Sequence, residues 1–172
     1  MSRSQIGIGL GIAAVLQVFL LVGMLAKAAM PLWTGTEVRV ETIPVDPRSM
    51  FRGNYARLNY DIATLPVDVS IESSQLGTGV IVYVQLQLQD DGLYRYAGAT
   101  LERPEHGIYL RGRIAGDYSP YPVKYGIEAF FAPKQKALQL ERELRNGGVA
   151  ILMVSASGQA ALKDVVPHVT GR

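Results

Sequence analysis

The chain has 172 residues, with 17 Lys and Arg, 15 Asp and Glu, and no Cys. This length is typical of one domain, and the lack of Cys excludes a disulfide scaffold, a thiolate metal site and a Cys nucleophile. The net charge of +2 is too small for a nucleic-acid-binding surface, so we predict no nucleic-acid partner. Arg3 and Lys27 are the only charged side chains in residues 1–30, so the other 142 residues carry 15 basic and 15 acidic groups.

The N-terminal segment contains a run of 21 uncharged residues, from residue 6 to residue 26. A helix of this length spans about 30 Å, which is the thickness of a bilayer's hydrocarbon core. Residues 6–26 are therefore expected either to be a retained anchor in contact with membrane lipid or to be a cleaved signal peptide. Ala26-Lys27-Ala28 has the small-x-small form of a cleavage site, but the run exceeds the roughly 7–15 residues usual for a signal peptide. We favour the anchor.

After a predicted linker at residues 31–36, the pattern of the chain changes to the alternation of apolar and polar residues that predicts β-strands. The alternation covers residues 36–43, 55–62, 80–89, 93–100, 107–114, 125–131, 149–156 and 160–166. Asp90-Asp91-Gly92 and Ser157-Gly158 predict two hairpin turns, and residues 63–78 read as a surface loop.

Residues 133–146 have apolar side chains at helical spacing and predict one short helix. Because strands and helices do not alternate, a parallel sheet is not expected. The predicted fold class is mainly β (α+β): an antiparallel β-sandwich or partly open barrel with one short helix, preceded by a single transmembrane helix. We divide the chain into an anchor, residues 1–30, and a β-rich domain, residues 31–172.

The densest motif is PVDPRSMFRGNYARLNY, residues 44–60. It resembles the signature of the GDYXXLXY family of membrane-anchored bacterial proteins, although Asn54 stands where that family has Asp. Further similar blocks are Val82-Tyr83-Val84, the sequence LRGR at 110–113 and the sequence YGIEAFFAP at 125–133, so the resemblance covers about residues 36–166. The candidate binding or motif residues are Asp46, Arg48, Arg52, Gly53, Asn54, Tyr55, Leu58, Tyr60 and Glu128.

The resemblance implies an N-terminal membrane anchor, an extracytoplasmic domain and an association with multi-span membrane proteins. It supplies no catalytic residue. Arg3 and the α-amino group lie before the apolar run and Lys27 lies after it, so the positive-inside rule favours a cytoplasmic N-terminus. We therefore expect a single-pass protein of the bacterial inner (plasma) membrane, with its domain in the periplasm.

Elementary chemistry gives the motif residues two possible roles, in shaping the fold or in binding a ligand. Gly53 and Asn54 suit a turn, and Asp46, Arg48 and Arg52 can form an ion-pair network. Glu128 lies in an otherwise apolar strand, so its burial requires a partner. Arg52 and Arg111 are the candidates for that partner.

An enzymatic alternative rests on Ser49-Met50, because type I signal peptidases also place a Ser-Met pair soon after a membrane anchor. Ser49 would be the nucleophile and Lys124, the first Lys after it, the activating base of a Ser/Lys hydrolase. The chain lacks the Pro that follows the pair in that motif, and Lys124 lies in a loop rich in Pro and Tyr, not in an apolar strand. We favour a non-enzymatic role.

Tyr118, Tyr121 and Tyr125 are interleaved with prolines and form either an exposed aromatic patch or rings that hold their own loop in place. His106 and His168 have no acidic neighbours at metal-ligand spacing, so we expect no metal and no cofactor. The function that the sequence favours is a membrane-anchored binding or accessory module whose partner is a multi-span membrane protein.

Overall fold

The computed structural model describes residues 3–43, 55–66, 71–131 and 147–167. The helix predicted at residues 133–146 lies outside these ranges. The described residues form one long helix, two single-turn 3₁₀ helices (Asp61–Ala63 and Ser73–Gln75) and ten strands. The long helix is α1 (Arg3–Thr34), and the strands are β1 (Thr36–Ile43), β2 (Tyr55–Arg57), β3 (Asn59–Tyr60), β4 (Ile81–Leu88), β5 (Tyr94–Thr100), β6 (Ile108–Ile114), β7 (Val123–Lys124), β8 (Ala129–Phe131), β9 (Gly148–Val154) and β10 (Ala160–Pro167).

The strands form two four-stranded sheets and one two-stranded ribbon, and every pairing is antiparallel. The first sheet has the order β10-β9-β1-β3, the second sheet has the order β5-β4-β6-β7, and β2 pairs with β8. Val40 and Leu152 of the first sheet join Val82 and Leu110 of the second sheet in a single hydrophobic core. The predicted mainly β, antiparallel architecture is confirmed, and the two sheets share one core as in a sandwich.

The alternation in the sequence correctly predicted which residues of the central strands face the core. Val38 and Val40 of β1 and Val82 and Val84 of β4 are all buried, and the two predicted hairpins, β4–β5 and β9–β10, are present. Leu88, which continues the pattern of β4, is instead 55% exposed. It is the last residue of β4 before the hairpin turn, where the strand has passed beyond the core.

Two segments predicted as single strands are interrupted. In 125–131 only Ala129–Phe131 forms a strand, β8. The preceding β7 belongs to the second sheet, and Gly126, with a φ of +83°, turns the chain between the two strands. The segment 55–62 divides into β2, β3 and a 3₁₀ turn, although Leu58, Tyr60 and Ile62 are buried as the alternation predicted.

The surface loop predicted at residues 63–78 is exposed at residues 72–75, as expected, but its two leucine side chains are buried. Leu65 and Leu76 are buried in the core, and Leu65 donates its backbone N–H to Tyr121 O at 2.9 Å. In the sequence, Leu65 begins an alternation of apolar residues that continues at Val67, Val69 and Ile71, a pattern that the loop interpretation did not use. Leu76 stands alone among polar residues, so no periodicity distinguishes it from an exposed residue.

Helix α1 is long and apolar enough to cross a membrane: residues Gly9–Thr34 include an 18-residue stretch with a mean hydropathy of 2.3 and no buried residue. The linker predicted at residues 31–36 is helical as far as Thr34. Pro31 is fully buried, and Gly35 N donates to Pro31 O at 2.9 Å. A Cβ at Gly35 would lie 2.9 Å from Val154 N, so α1 joins the first sheet through a close contact.

Candidate functional site

The two motif segments of the sequence meet in the structure. Strands β2 and β8 pair with Tyr55 opposite Phe131 and Arg57 opposite Ala129, and the pairing continues where Leu58 N donates to Glu128 O at 2.8 Å. We call residues 55–62 and 125–131 together the motif junction.

Two buried tyrosines join the halves of the motif junction in opposite directions. Tyr60 Oη donates to Ile127 O, and Tyr125 Oη donates to Ile62 O, each at 2.6 Å. Burial raises the pKa of both phenols well above the usual value of 10.0, and the Glu128 carboxylate raises both further. Both rings are therefore neutral donors that hold the chain, as a role in shaping the fold requires.

The half-buried Glu128 binds its own turn. Its Oε1 accepts the backbone N–H of Tyr125 at 2.6 Å, and its two oxygens accept the N–H of Gly126 at 3.2 and 3.1 Å. Backbone donors therefore satisfy the carboxylate. Arg111 makes no ion pair with Glu128 in the part of the chain that the structure describes, and Arg52 lies outside that part.

Six of the sequence candidates fall outside the described ranges, and their roles stay predictions: Asp46, Arg48, Ser49, Arg52, Gly53 and Asn54. Tyr55 contributes its backbone to β2. Lys124, the proposed base of the hydrolase, is exposed and lies opposite Arg113 in the register of β6 and β7. An exposed amine lacks the desolvation that activates a catalytic Lys.

The tyrosine-rich loop does not form an aromatic patch. Tyr121 and Tyr125 are buried, and only Tyr118 is exposed, at 85%. Asp117 in the same loop accepts the backbone N–H of Thr78 at 2.8 Å, which lowers the pKa of its carboxyl group. Of the two interpretations, the one in which the rings hold their own loop is correct for Tyr121 and Tyr125.

A cleft of about 300 Å³ opens beside the motif junction, on the outer face of the second sheet. We call it the basic cleft. Its lining consists of Ile81, Arg111, Gly112, Arg113, Lys124, Tyr125 and Gly126. The three cationic side chains are exposed, and no Asp or Glu among the described residues forms an ion pair with them.

The sequence indicated part of the basic cleft. Alternation placed Arg111 and Arg113 on the outer face of β6, and the structure confirms this. Lys124 joins them only because β7 pairs with the end of β6, a register that a two-residue strand does not reveal in sequence.

A second cleft, of about 410 Å³, lies between the first sheet and the β4–β5 turn. Its two charged lining residues, Arg39 and Asp91, each form an ion pair, unlike the cations of the basic cleft. Arg39 pairs with Glu37 at 3.0 Å, and Asp91 pairs with Arg95 at 2.7 Å. The remaining lining is Gly92, Leu93, Val149, Ile151, Val166 and Pro167. We call it the paired-charge cleft.

This architecture defines a β-rich domain that follows a long apolar helix. The sequence model of the family described as GDYXXLXY protein matches residues 17–165. Because the match covers most of the chain, this protein belongs to the GDYXXLXY family, as the motif residues predicted. Neither the curated proteins nor the solved structures contain a significant match.

Proposed function

We propose that this chain is a single-span membrane protein whose N-terminus is cytoplasmic and whose β domain lies in the periplasm of a bacterium. There the domain acts as a binding or accessory module for a multi-span membrane protein. The observation that carries the proposal is α1, whose large apolar side chains are exposed along most of its length and which then enters the first sheet directly. Water would have to solvate that surface if no lipid or partner helix covered it.

The joint between α1 and the domain supports a partner that is also in the membrane. Pro31 is buried and Gly35 lies against Val154, so the joint is short and packed, unlike a flexible linker that would allow the domain to reach far from the bilayer. A domain held in this way meets other membrane proteins more readily than distant soluble ones.

Orientation can be tested by cysteine labelling, because the chain has no Cys of its own. Tyr118→Cys places a thiol at a side chain that is 85% exposed, and Ser2→Cys places one before the helix. In right-side-out membrane vesicles, an impermeant maleimide is expected to label Tyr118→Cys, and to label Ser2→Cys only after permeabilisation. Val84→Cys, at a buried position, is the control that should react only after denaturation.

The reverse labelling pattern would contradict the proposed orientation. Loss of the Ser2→Cys label from the mature chain, after cleavage near residue 28, would instead support the signal peptide. The mass of the purified mature chain distinguishes this result from poor labelling.

The partner is tested by photo-crosslinking in native membranes, with photoreactive residues at Phe19 in α1 and at Tyr118 in the domain, both exposed. We expect mass spectrometry to identify the same multi-span protein from both positions. Recovery of lipid alone from Phe19 and of no protein from Tyr118 would contradict an accessory role. The Ser/Lys hydrolase stays a prediction, and unchanged processing of exported precursors by Ser49→Ala would end it.

A further inference from the structure

The basic cleft keeps like charges close together. Arg113 lies directly opposite Lys124 in the antiparallel register, and Arg111 is two residues away on the same face of β6, at about 7 Å along the strand. Like charges directly opposite one another destabilise a sheet. Arg113 Nη1 donates to Gly79 O at 2.7 Å, a neutral acceptor, so this contact leaves its positive charge in place.

The basic cleft is connected to the end of α1 by a short series of contacts. Thr36, two residues after α1, pairs with Val154 at the end of β9. The β9–β10 turn begins at the next residue, and its Gly158 O accepts the backbone N–H of Arg111 at 2.8 Å. The β6 strand that carries the cations therefore contacts the same end of the first sheet at which the apolar helix enters.

A further cation lies at this turn. Arg103 Nη2 donates to Ala156 O at 2.8 Å, and Arg103 Nε donates to Tyr109 Oη at 2.7 Å. Both acceptors are neutral, so Arg103 adds positive charge at the end of the sheet next to α1.

We propose that the basic cleft binds the phosphate of an anionic phospholipid headgroup in the membrane that α1 crosses. The proposal rests on the anchor in the proposed function. Guanidinium groups form two parallel hydrogen bonds with phosphate oxygens, and Lys124 adds a third cation. Basic residues next to a membrane span are attracted to anionic lipids. Because the strand that carries these cations contacts the end of the first sheet at which α1 enters, the position favours a lipid over an acidic segment of another protein.

The experiment uses the full chain in a neutral detergent, with native mass spectrometry to count bound lipid. The ligands are short-chain phosphatidylglycerol, phosphatidylcholine, inorganic phosphate and a decamer of glutamate. The test variant combines Arg111→Gln, Arg113→Gln and Lys124→Gln. The matched control combines Arg39→Gln, Arg95→Gln and Lys163→Gln. It also removes three positive charges, but each of these side chains has a carboxylate partner.

We expect phosphatidylglycerol to bind the chain more tightly than phosphatidylcholine or inorganic phosphate. The test variant is expected to lose affinity for phosphatidylglycerol by about five-fold for each charge, on the order of 100-fold in total. The control variant is expected to lose less than about three-fold, because its charges are exposed and screened. If the triple variant does not fold, Lys124→Gln alone is expected to lose about five-fold.

Three outcomes would overturn the proposal. Equal binding of phosphatidylglycerol and phosphatidylcholine would show that the cleft does not recognise the headgroup charge. Equal competition by inorganic phosphate would assign it to a soluble anion, and preferential binding of the glutamate decamer would assign it to an acidic protein segment. Carbonate extraction of the same chain from membranes tests the anchor separately, so failure of the anchor is distinguishable from failure of the lipid site.

Discussion

On the outer face of the first sheet, Glu37 forms ion pairs with both Arg39 and Lys163. On the outer face of the second sheet, by contrast, three cations lie together without an acidic partner among the described residues: Arg111, Arg113 and Lys124. The inner faces of the same two sheets are alike, since both contribute apolar side chains to one core. Packing therefore determines the inner faces in the same way, and the difference in charge is confined to the surfaces that a ligand can reach.

The greatest loss of stability is expected from substitutions that test whether the two inner faces contribute equally to the core. Leu110→Ala in the second sheet and Leu152→Ala in the first sheet each remove a fully buried side chain, so each is expected to lower the free energy of unfolding by about 4 kcal/mol. Chemical denaturation of the full chain in detergent, followed by circular dichroism, measures both. Two separate unfolding transitions within either variant would contradict a single shared core.

The next effect tests the contact between the sheets at the β9–β10 turn. Gly158 has a φ of +77°, and a Cβ there would lie 2.6 Å from the Tyr109 ring. Gly158→Ala is expected to lower the free energy of unfolding by about 2.5 kcal/mol, through backbone strain and overpacking together. Gly107→Ala is the matched control, with a φ of +88° but no atom near the added Cβ, and is expected to cost about 1 kcal/mol. Equal losses would show that the turn does not pack against Tyr109.

At the motif junction we expect a smaller loss. Tyr60→Phe and Tyr125→Phe each remove one buried hydrogen bond to a backbone carbonyl, at a cost of about 1.5 kcal/mol. Tyr118→Phe, at an exposed position, is the control and should change stability by less than about 0.5 kcal/mol. If the buried variants match this control, the motif tyrosines do not hold the junction together.

The same tyrosines predict a loss of stability in alkali. Because burial raises the pKa of Tyr60 and Tyr125 in the folded chain above 10.0, folding favours the protonated phenols. This contribution is fully present below pH 10.0 and falls as pH rises above that value. From pH 8 to pH 11, the denaturation midpoint should fall less steeply in the variant that combines Tyr60→Phe and Tyr125→Phe than in the unaltered chain. An unchanged slope would contradict the burial of the two hydroxyl groups.

The smallest effect concerns the paired charges of the first sheet. The hydrogen bond from Lys163, and then that from Arg39, lower the pKa of Glu37 below 4.5. A lowered pKa contributes stability above pH 4.5, and this contribution is lost as pH falls through the folded value. Because Glu37 is solvent-exposed, the contribution is small and should weaken in salt.

Glu37→Gln is expected to remove this part of the acid dependence. Glu102→Gln, at another exposed carboxylate, is the control. The comparison is the shift in denaturation midpoint between pH 6 and pH 3, at low and at high salt. A larger shift in the control would contradict the pairing of Glu37.

Several features of the fold could be predicted from local pattern. The α1 helix follows from a run of apolar residues, and β1, β4, β6 and the two hairpins follow from alternation and turn residues. The family follows from the motif at residues 44–60 together with the later blocks. In each case the physical cause acts between residues close in sequence, so it leaves a periodic or compositional trace.

Other features depend on residues far apart in the chain. Tyr109 lies on the outward side of β6, yet it is buried and donates to Ala156 O at 2.7 Å in the distant β9–β10 turn. Arg52 or Arg111 was the expected partner of Glu128, and the turn at Gly126 provides backbone donors to its carboxylate. Arg111 makes no ion pair with Glu128 among the described residues, and Arg52 lies outside them.

The apolar N-terminal helix, the β-rich domain and the family could all be identified from the amino-acid sequence, because hydrophobic pattern and motif depend on residues that are close together in the chain. Only the tertiary structure placed Leu58–Tyr60 against Tyr125–Glu128 and brought Lys124 opposite Arg113. Both arrangements result from strand register and from one left-handed glycine turn. Register is decided by which faces a shared core can bury, and a segment read alone does not contain that information.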